Sequence, residues 1–461
     1  MKMTTTLLFS ALTLGAITLT AQSSPFAGNG TFGNSGDGGP ATSAALNLVA
    51  HTTSDALGNF YISDIGNNNI RKVNTSGIIN THVGNSTAGF SGDGGLATAA
   101  MLNGNLTNKL DASGNLYVID QNGSRIRKIT ASGIITTIAG ISNSTSGYTG
   151  NSGDGGLATV AEISAYDMAI DASGNIYICQ ANDNVIRKIN TSGVITKFAG
   201  TGLAGFSGDG GLATSAKLNR PTSLATDNVG NVFVLDEYNT RIRKVTASGI
   251  ISTYAGNGNF GYSGDGGNAI LADVIFSQGG WPNLLGGRMA FNTSNELCFI
   301  AFSTTYKINI RKINSLGVIS TALDSTNFTS LGTDLVYIHI DNANNLYFTS
   351  AGNVCGISCI PGSPLLKVSL NPASTTGVEA LDFDNKLAMV YPIPSNGAFT
   401  VETKLLNNAS VDVYDMAGKL VHTQVLTDAK NNINLDLPAG NYNVSVKGNG
   451  VTINKNIIIA K

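Results

Sequence analysis

Charged residues are scarce in this chain. Its 461 residues include 29 acidic and 27 basic side chains, 12% of the total, and the formal net charge is -2. This balance provides no overall basic field that could hold a polyanion, so nucleic acid is not expected as a partner. Hydrophobic residues make up 42% of the chain, which excludes a mainly disordered protein, because disorder requires low hydrophobicity together with high net charge.

The chain also lacks an apolar run long enough to span a bilayer, which takes about 20 residues. A short apolar run from Leu7 to Leu19 follows Lys2 and precedes Ala21. This order of charge, apolar run and small residue predicts a secretory signal peptide over residues 1–21, a buried first helix being the alternative. We therefore expect an exported protein without a transmembrane segment.

Cysteine is rare, with four residues in the chain. Cys179 and Cys298 lie in apolar runs and are predicted to be core residues. Cys355 and Cys359 lie close together in a glycine-rich stretch, and in an oxidising compartment they are predicted to form a local disulfide. A structural metal site would need a second cysteine pair or nearby histidines, so no metal and no cofactor are expected.

Glycine, by contrast, is abundant, with 56 residues, and much of it belongs to a repeat. The repeat reads D-x-x-G-N-(aromatic), I-R-K, G-(I/V)-I, A-G and S-G-D-G-G-x-A-T. Four short strand signals occur in each unit, with no helical period between them. Six such units predict an all-β protein whose residues 22–370 form a six-bladed β-propeller. The units start at Asp55, Asp111, Asp171 and Asp227, with degenerate copies at Asn292 and Asp341.

The start of the mature chain resembles the end of a repeat. Phe26-Ala27-Gly28 matches the fourth-strand endings of the other units, whereas the sixth unit has no clear fourth strand of its own. We therefore predict that this N-terminal strand completes the last blade and removes two unpaired edges. The alternative is that a strand after Pro372 does so.

The units resemble NHL repeats with long S-G-D-G-G loops over residues 26–370, although the loop is absent after the fifth unit. The resemblance implies a six-bladed propeller of the kind used mostly to bind proteins, peptides or RNA, with a minority of lyases. It therefore implies a fold and leaves the function open.

Residues 388–461 differ in character. Tyr391-Pro392-Ile393-Pro394, the run VDVYDMAGKLV and Leu437-Pro438-Ala439-Gly440 mark alternating strands broken by turns, which predicts a small C-terminal β-sandwich after a linker at 371–387. The segment resembles a type A C-terminal sorting domain of type IX secretion cargo, except that Ile393 replaces the usual Asn. The resemblance implies contact with the type IX secretion machinery through residues 388–461, and a location outside a Gram-negative cell or on its outer surface. An ordinary binding module of the same fold is the alternative.

Two repeated charged features are interpreted as architecture. Each S-G-D-G-G loop offers one carboxylate, which we expect to accept the loop's own N–H groups, with calcium binding as the alternative. The Arg and Lys of each I-R-K run point to opposite faces of the sheet, and one residue of each pair is expected to contact acids at strand ends such as Asp64, Asp120 or Asp236. The loop acids are Asp37, Asp93, Asp154, Asp209 and Asp265.

At one position of the repeat, the residue type is not kept from unit to unit. Four residues before the leading Asp (or Asn292), each unit has a different polar side chain, and we predict that these six form a ligand site facing the central channel. A water-filled channel with satisfied side chains is the alternative. The column contains His51, Thr107, Asp167, Ser223, Arg288 and Tyr337. Two residues further on, the units have Thr53, Lys109, Ala169, Ala225, Ala290 and His339.

No catalytic residues are predicted. The inner strands contain His51 and His339 but not the three histidines used by the lyases of the family, and no serine lies in a nucleophile elbow. We therefore predict a secreted or surface module that binds a protein, peptide or glycan. The alternative is a lyase or hydrolase that acts on a polysaccharide or small molecule at the channel mouth.

Overall fold

The chain was analysed as a computed structural model and divides into two compact units, residues 1–370 and 371–461. The signal peptide, the linker and the Cys355–Cys359 pair predicted above lie outside the residues that the structure describes. Those residues are 24–120, 124–141, 150–276, 288–305, 308–323, 335–350, 365–369, 388–391, 398–403, 409–415, 419–428, 430–448 and 451–459.

The first unit is built from six four-stranded antiparallel sheets. Sheet 1 contains β2 (Val49–Ser54), β3 (Phe60–Asp64), β4 (Asn69–Val73) and β5 (Ile79–Val83). Sheet 2 contains β6 (Asn105–Leu110), β7 (Leu116–Asp120), β8 (Arg125–Ile129) and β9 (Ile135–Ala139). Sheet 3 contains β10 (Asp167–Ile170), β11 (Ile176–Gln180), β12 (Val185–Ile189) and β13 (Ile195–Ala199).

The remaining three sheets have the same antiparallel arrangement. Sheet 4 contains β14 (Pro221–Thr226), β15 (Val232–Asp236), β16 (Arg241–Val245) and β17 (Ile251–Ala255). Sheet 5 contains β18 (Met289–Phe291), β19 (Leu297–Phe302), β20 (Ile308–Ile313) and β21 (Ile319–Leu323). Sheet 6 contains β22 (Leu335–Ile340), β23 (Asn345–Ser350), β24 (Leu365–Ser369) and the N-terminal strand β1 (Ser24–Ala27).

The last sheet joins the two ends of the repeat region. Strand β1 pairs antiparallel with β24, with Ser24 opposite Lys367 and Ala27 opposite Leu365. The prediction that the N-terminal strand completes the last repeat is therefore confirmed. The first strands of the six sheets are neighbours in cyclic order, from β2 through β22 and back to β2.

The turn that starts each repeat explains why the first two strands of a sheet meet. Asp55 Oδ1 accepts hydrogen bonds from the N–H groups of Leu57 and Asn59, at 3.0 and 2.8 Å. Gly58 between them has a φ of +87°, a left-handed conformation that favours glycine. The same turn closes at every leading Asp or Asn of the repeat.

Apolar side chains pack between successive sheets. For example, Ala169 and Cys179 of sheet 3 contact the cluster that contains Leu224 and Val234 of sheet 4. Cys179 and Cys298 are both fully buried and free, as their apolar neighbours predicted. Facing sheets therefore exclude water along most of their strands, which is the main apolar contribution to the stability of this unit.

Helical structure in the described residues consists of three-residue 3-10 turns, and no helix there is long and apolar enough to cross a membrane. These turns are Ala41–Ser43, Ile65–Asn67, Ala97–Ala99, Ala158–Val160, Ala181–Asp183, Ala213–Ser215, Glu237–Asn239 and Ala269–Leu271.

The second unit has two antiparallel sheets. One contains β25 (Ala388–Tyr391), β26 (Ala398–Thr403) and β29 (Lys430–Asn434). The other contains β27 (Ser410–Tyr414), β28 (Leu420–Val425), β30 (Gly440–Gly448) and β31 (Val451–Ile459). Phe399 and Ile433 of the first sheet share one buried cluster with Val411 and Val444 of the second, so the two sheets enclose a common core.

Candidate functional site

The six side chains of the predicted ligand column are all buried, with at most 1% of each exposed. They lie on the first strands, or directly before one in the case of Arg288. Four of them form a hydrogen bond with the first strand of the next sheet, or with the residue directly before it, so the column links neighbouring sheets. These four are His51, Asp167, Ser223 and Tyr337.

Three members of the column form one chain of contacts across sheets 3, 4 and 5. Asp167 Oδ2 accepts hydrogen bonds from Ser223 Oγ and from the backbone N–H of Leu224, both at 2.9 Å. The backbone N–H of Arg288 in turn donates to Ser223 Oγ at 3.0 Å. The polar atoms on this side of the column therefore form hydrogen bonds between neighbouring sheets.

The guanidinium of Arg288 is also occupied. Its Nη2 lies 3.0 Å from Glu237 Oε2 and donates to Thr222 Oγ1 at 2.7 Å, and its Nη1 donates to the carbonyl of Phe276 at 2.5 Å. The sequence predicts this side chain as a ligand contact. Because the charge is buried and paired inside the protein, its removal must also change the stability of the fold.

The opposite side of the column retains unused polar atoms. The N–H of Asn108 donates to His51 Nδ1 at 3.4 Å, so the neutral imidazole carries its proton on Nε2. That Nε2 and the hydroxyl of Thr107 are buried without a hydrogen-bond partner. The ring of His51 packs on Tyr337, with centroids 4.0 Å apart, and the Tyr337 hydroxyl donates to the carbonyl of Thr52.

The column two residues further on is more open. Lys109 and His339 are half-buried, and His339 Nε2 lies 2.8 Å from Ser54 Oγ. Burial first and the charge of Lys109 second lower the pKa of His339 to about 3, and burial, Lys109 and His339 lower the pKa of His51. Both rings are therefore neutral at physiological pH. Burial lowers the pKa of Lys109, an effect that the charge of Asp167 opposes.

The acids of the S-G-D-G-G loops have different partners from the loop N–H groups that were expected. Asp37 Oδ1 pairs with Arg71 at 2.5 Å, and its Oδ2 accepts from the N–H of Thr81 on β5 and not from the loop itself. Arg71 also lies 3.7 Å from Asp64, as predicted. The loop acids therefore fasten each S-G-D-G-G connection to the sheet that follows. Where the structure describes the chain, no group of three His, Cys, Asp or Glu side chains could hold a metal ion.

Sequence reasoning missed Glu237, which is 4% exposed and carries the negative charge beside Arg288. The signal in the sequence was an acidic residue directly after β15, at a position where sheets 1 and 3 have the apolar residues Ile65 and Ala181.

A cleft of about 370 Å³ lies apart from the column, between the turns of sheets 4 and 5. It is lined by Thr226, Asp227, Asn228, Phe291, Asn292, Thr293 and Asn295.

Two family models match the chain. Residues 389–460 match the secretion system C-terminal sorting domain, and residues 204–286 match the teneurin NHL domain. The chain is an NHL-repeat β-propeller protein with a type IX secretion sorting domain. It is consequently a secreted or cell-surface protein of a Gram-negative bacterium.

Relatives of this NHL-repeat propeller include teneurin-1 of Gallus gallus, which is 34% identical over 239 residues. That match covers 46% of this chain and 8% of the relative, so the chain spans a small part of the curated relatives it matches. Similar solved structures include a streptogramin B lyase, at 14% identity and a TM-score of 0.42, covering 71% of this chain and 95% of that one. Another is PorZ, a surface component of the type IX secretion system of Porphyromonas gingivalis, at 14% identity and a TM-score of 0.41, covering 90% and 51%.

Proposed function

We propose that this protein is a six-bladed propeller that binds a protein, peptide or glycan ligand in its central channel after export. Six four-stranded sheets whose first strands are cyclic neighbours support the blade count, with each sheet as one blade. In this proposal residues 1–21 are a cleaved signal peptide, 371–387 are a linker, and 388–461 form a β-sandwich that engages the type IX secretion machinery. The two sheets around one core support the sandwich.

The observation that carries the ligand site is the contrast between columns of the repeat. The turn acids and the arginines of the third strands repeat and make the same contacts in successive sheets. The column of His51, Thr107, Asp167, Ser223, Arg288 and Tyr337 instead has six positions with five kinds of polar group. A column with a purely architectural role has no reason to vary in this way.

Within that column, the sector of sheets 1 and 2 is the best candidate for ligand contact. His51 Nε2 and Thr107 Oγ1 are buried without hydrogen-bond partners. A buried polar atom left unpaired costs about 1–3 kcal/mol, which a ligand group or a water molecule can offset by bonding to it. The Arg288 side of the column then acts as the rigid support that holds neighbouring first strands in register.

The proposal is tested by screening the purified chain against glycan and peptide libraries and measuring the affinity of any hit. Thr107→Val and His51→Gln should weaken binding about tenfold, the equivalent of one lost hydrogen bond. Thr137→Val is the matched control, because its hydroxyl is likewise unpaired but lies on outer strand β9. Wild-type affinity in both column variants would place the site elsewhere. Chemical conversion of the hit would instead indicate the alternative, a lyase or hydrolase.

A further inference from the structure

One layer of the channel wall has polar side chains on one half of the ring and alanines on the other half. The positions two residues before the leading Asp or Asn of each repeat lie at the same level on six neighbouring first strands. On three consecutive strands, β22, β2 and β6, they are His339, Thr53 and Lys109. On the other three they are Ala169, Ala225 and Ala290. The three alanines pack in or against the apolar clusters between sheets, so the polar side chains of this layer lie on one half of the ring.

Lys109 is a half-buried cation that makes no close ion pair with a described residue. Within the described part of the chain its amine makes no hydrogen bond and no ion pair, although the side chain is half-buried. Asp167 is the acid that acts on it electrostatically. The oxygens of Asp167 accept hydrogen bonds from Ser223, Leu224 and Met168. A half-buried ammonium group is costly to leave unpaired, so this position favours an anion.

The neighbouring groups favour the same kind of ligand. His51 lies two residues before Thr53 on strand β2, so both side chains are on the same face of the strand. The buried Nε2–H of His51 is a donor without an acceptor. The charge of Lys109 acts on both His339 and His51 and disfavours their protonated forms. The acids with an electrostatic effect on these three groups are Asp167 and Asp341, and Asp341 is held by its own turn.

We propose that the channel binds a small oxyanion, a carboxylate or a sulfate or phosphate group, with Lys109 as the charged contact and the Nε2–H of His51 and the hydroxyl of Thr53 as neutral donors. This inference rests on the proposed channel-binding function and assigns it a ligand class, namely acidic or sulfated glycans and peptides that present a carboxylate. A charged hydrogen bond of this kind is stronger than a neutral one.

The chain has four histidines, which makes them convenient probes. With ¹⁵N-labelled histidine, imidazole signals are followed while sodium sulfate or sodium acetate is added at pH 7.5, against sodium chloride at equal ionic strength. An oxyanion beside Lys109 should shift the His51 and His339 signals saturably. His82, on outer strand β5, and His422, in the C-terminal unit, should not move. Saturation by sulfate alone indicates a tetrahedral oxyanion, and saturation by acetate alone indicates a carboxylate.

Lys109→Met is the decisive variant because it keeps the length of the side chain and removes its charge. It should abolish the saturable shift, whereas Lys109→Arg should preserve it, and unmoved His82 and His422 signals report an intact fold. The absence of a saturable shift in the unmodified chain, or the same shift in Lys109→Met, overturns the oxyanion proposal. A neutral ligand whose affinity depends on His51 but not on Lys109 also overturns it, while leaving channel binding itself in place.

Discussion

Arg127 Nη2 lies 2.7 Å from Asp93 Oδ1, and this ion pair fastens the connection from sheet 1 to the third strand of sheet 2. The arginine side chain is fully buried, whereas the aspartate is 38% exposed. The same contact recurs in the neighbouring sheets, as Arg71–Asp37, Arg187–Asp154, Arg243–Asp209 and Arg311–Asp265. Each arginine therefore ties one sheet to the loop that precedes it.

Sheet 2 has a second carboxylate near its arginine, whereas sheet 3 has an amide at the same position. Arg127 Nη1 also lies 3.5 Å from the buried Asp120. Burial raises the pKa of Asp120 to about 6, although hydrogen bonding from Asn103 and the charge of Arg127 lower it in part. In sheet 3 this position is Gln180, whose Oε1 lies 3.5 Å from Arg187 Nη1. Arg187 thus has Asp154 as its carboxylate partner, with a neutral group at the other side.

Asp154→Asn should therefore destabilise the propeller more than Asp93→Asn does. The first change leaves Arg187 beside neutral acceptors, whereas after the second Asp120 still compensates Arg127. We expect about 3 kcal/mol for Asp154→Asn, as for a broken buried ion pair, and about 1 kcal/mol for Asp93→Asn. The measurement is the free energy of unfolding in urea at pH 7. Equal losses, or the reverse order, would contradict this role for the second carboxylate.

These contacts show what the sequence could and could not predict. Repetition located Asp120 at a strand end near Arg127, because both lie within one sheet and their spacing is local. It did not pair Arg127 with Asp93, because the loop crosses from one sheet onto the outer strands of the next. The same limit applies to Arg288. Its column was visible in the sequence, but its partner Glu237 belongs to another repeat and departs from the pattern there.

Export should depend on the C-terminal unit. A chain truncated after Leu387 lacks the residues that match the sorting domain and should accumulate in the periplasm of a host with a type IX system. Cell fractionation and immunoblotting measure this. As the reciprocal test, residues 388–461 fused to an unrelated periplasmic protein should carry it outside the cell. Release of the truncated chain into the medium would show that these residues are dispensable.

The N-terminal strand should be needed for a closed first unit. Removing residues 1–27 deletes β1, which exposes the edge of β24 and uncovers the cluster that contains Ala27 and Leu365. Unpaired strand edges promote association, so this variant should melt at a lower temperature and elute as oligomers. Removing residues 1–23 is the control, since it leaves β1 intact. Identical melting and elution of the two variants would show that the pairing of β1 adds nothing.

Glu237→Gln should strongly destabilise the propeller. The glutamate is buried and its carboxylate faces both Arg288, at 3.0 Å, and Arg220, at 3.8 Å. The substitution keeps the size of the side chain but leaves the buried charge of Arg288 without this carboxylate, which costs about 3–5 kcal/mol in comparable pairs. The double variant with Arg288→Met should be more stable than the sum of the single losses predicts, because the uncompensated charge is gone.

A surface pair provides the control for this experiment. Glu296 lies 3.2 Å from Lys312, whose side chain is 38% exposed. Exposed pairs contribute about 0–1 kcal/mol, so Glu296→Gln should barely change the urea midpoint. If Glu237→Gln were as mild as Glu296→Gln, Glu237 would not be the charge that compensates Arg288.

His82 should make the propeller less stable in acid. Burial first and the charge of Lys72 second lower the pKa of His82 to about 4, whereas an unfolded histidine has a pKa of about 6.5. As the pH falls from 6.5 towards 4, the unfolded chain binds this proton and the folded chain does not, so the free energy of unfolding decreases. The stabilisation is complete above pH 6.5, and at most about 3 kcal/mol of it is lost on acidification.

The three buried strand-end acids act in the opposite direction, so the test must compare variants. The raised pKa values of Asp64, Asp120 and Asp236, each about 6, make the folded chain bind protons more tightly and add stability as the pH falls from 6 to 4. Between pH 7 and pH 4.5, the change in the free energy of urea unfolding should therefore favour the folded state more in His82→Gln than in the unmodified chain. His422→Gln, in the other compact unit, should behave as the unmodified chain does. The same change with pH in all three proteins would show that His82 is protonated in the folded state as readily as in the unfolded one.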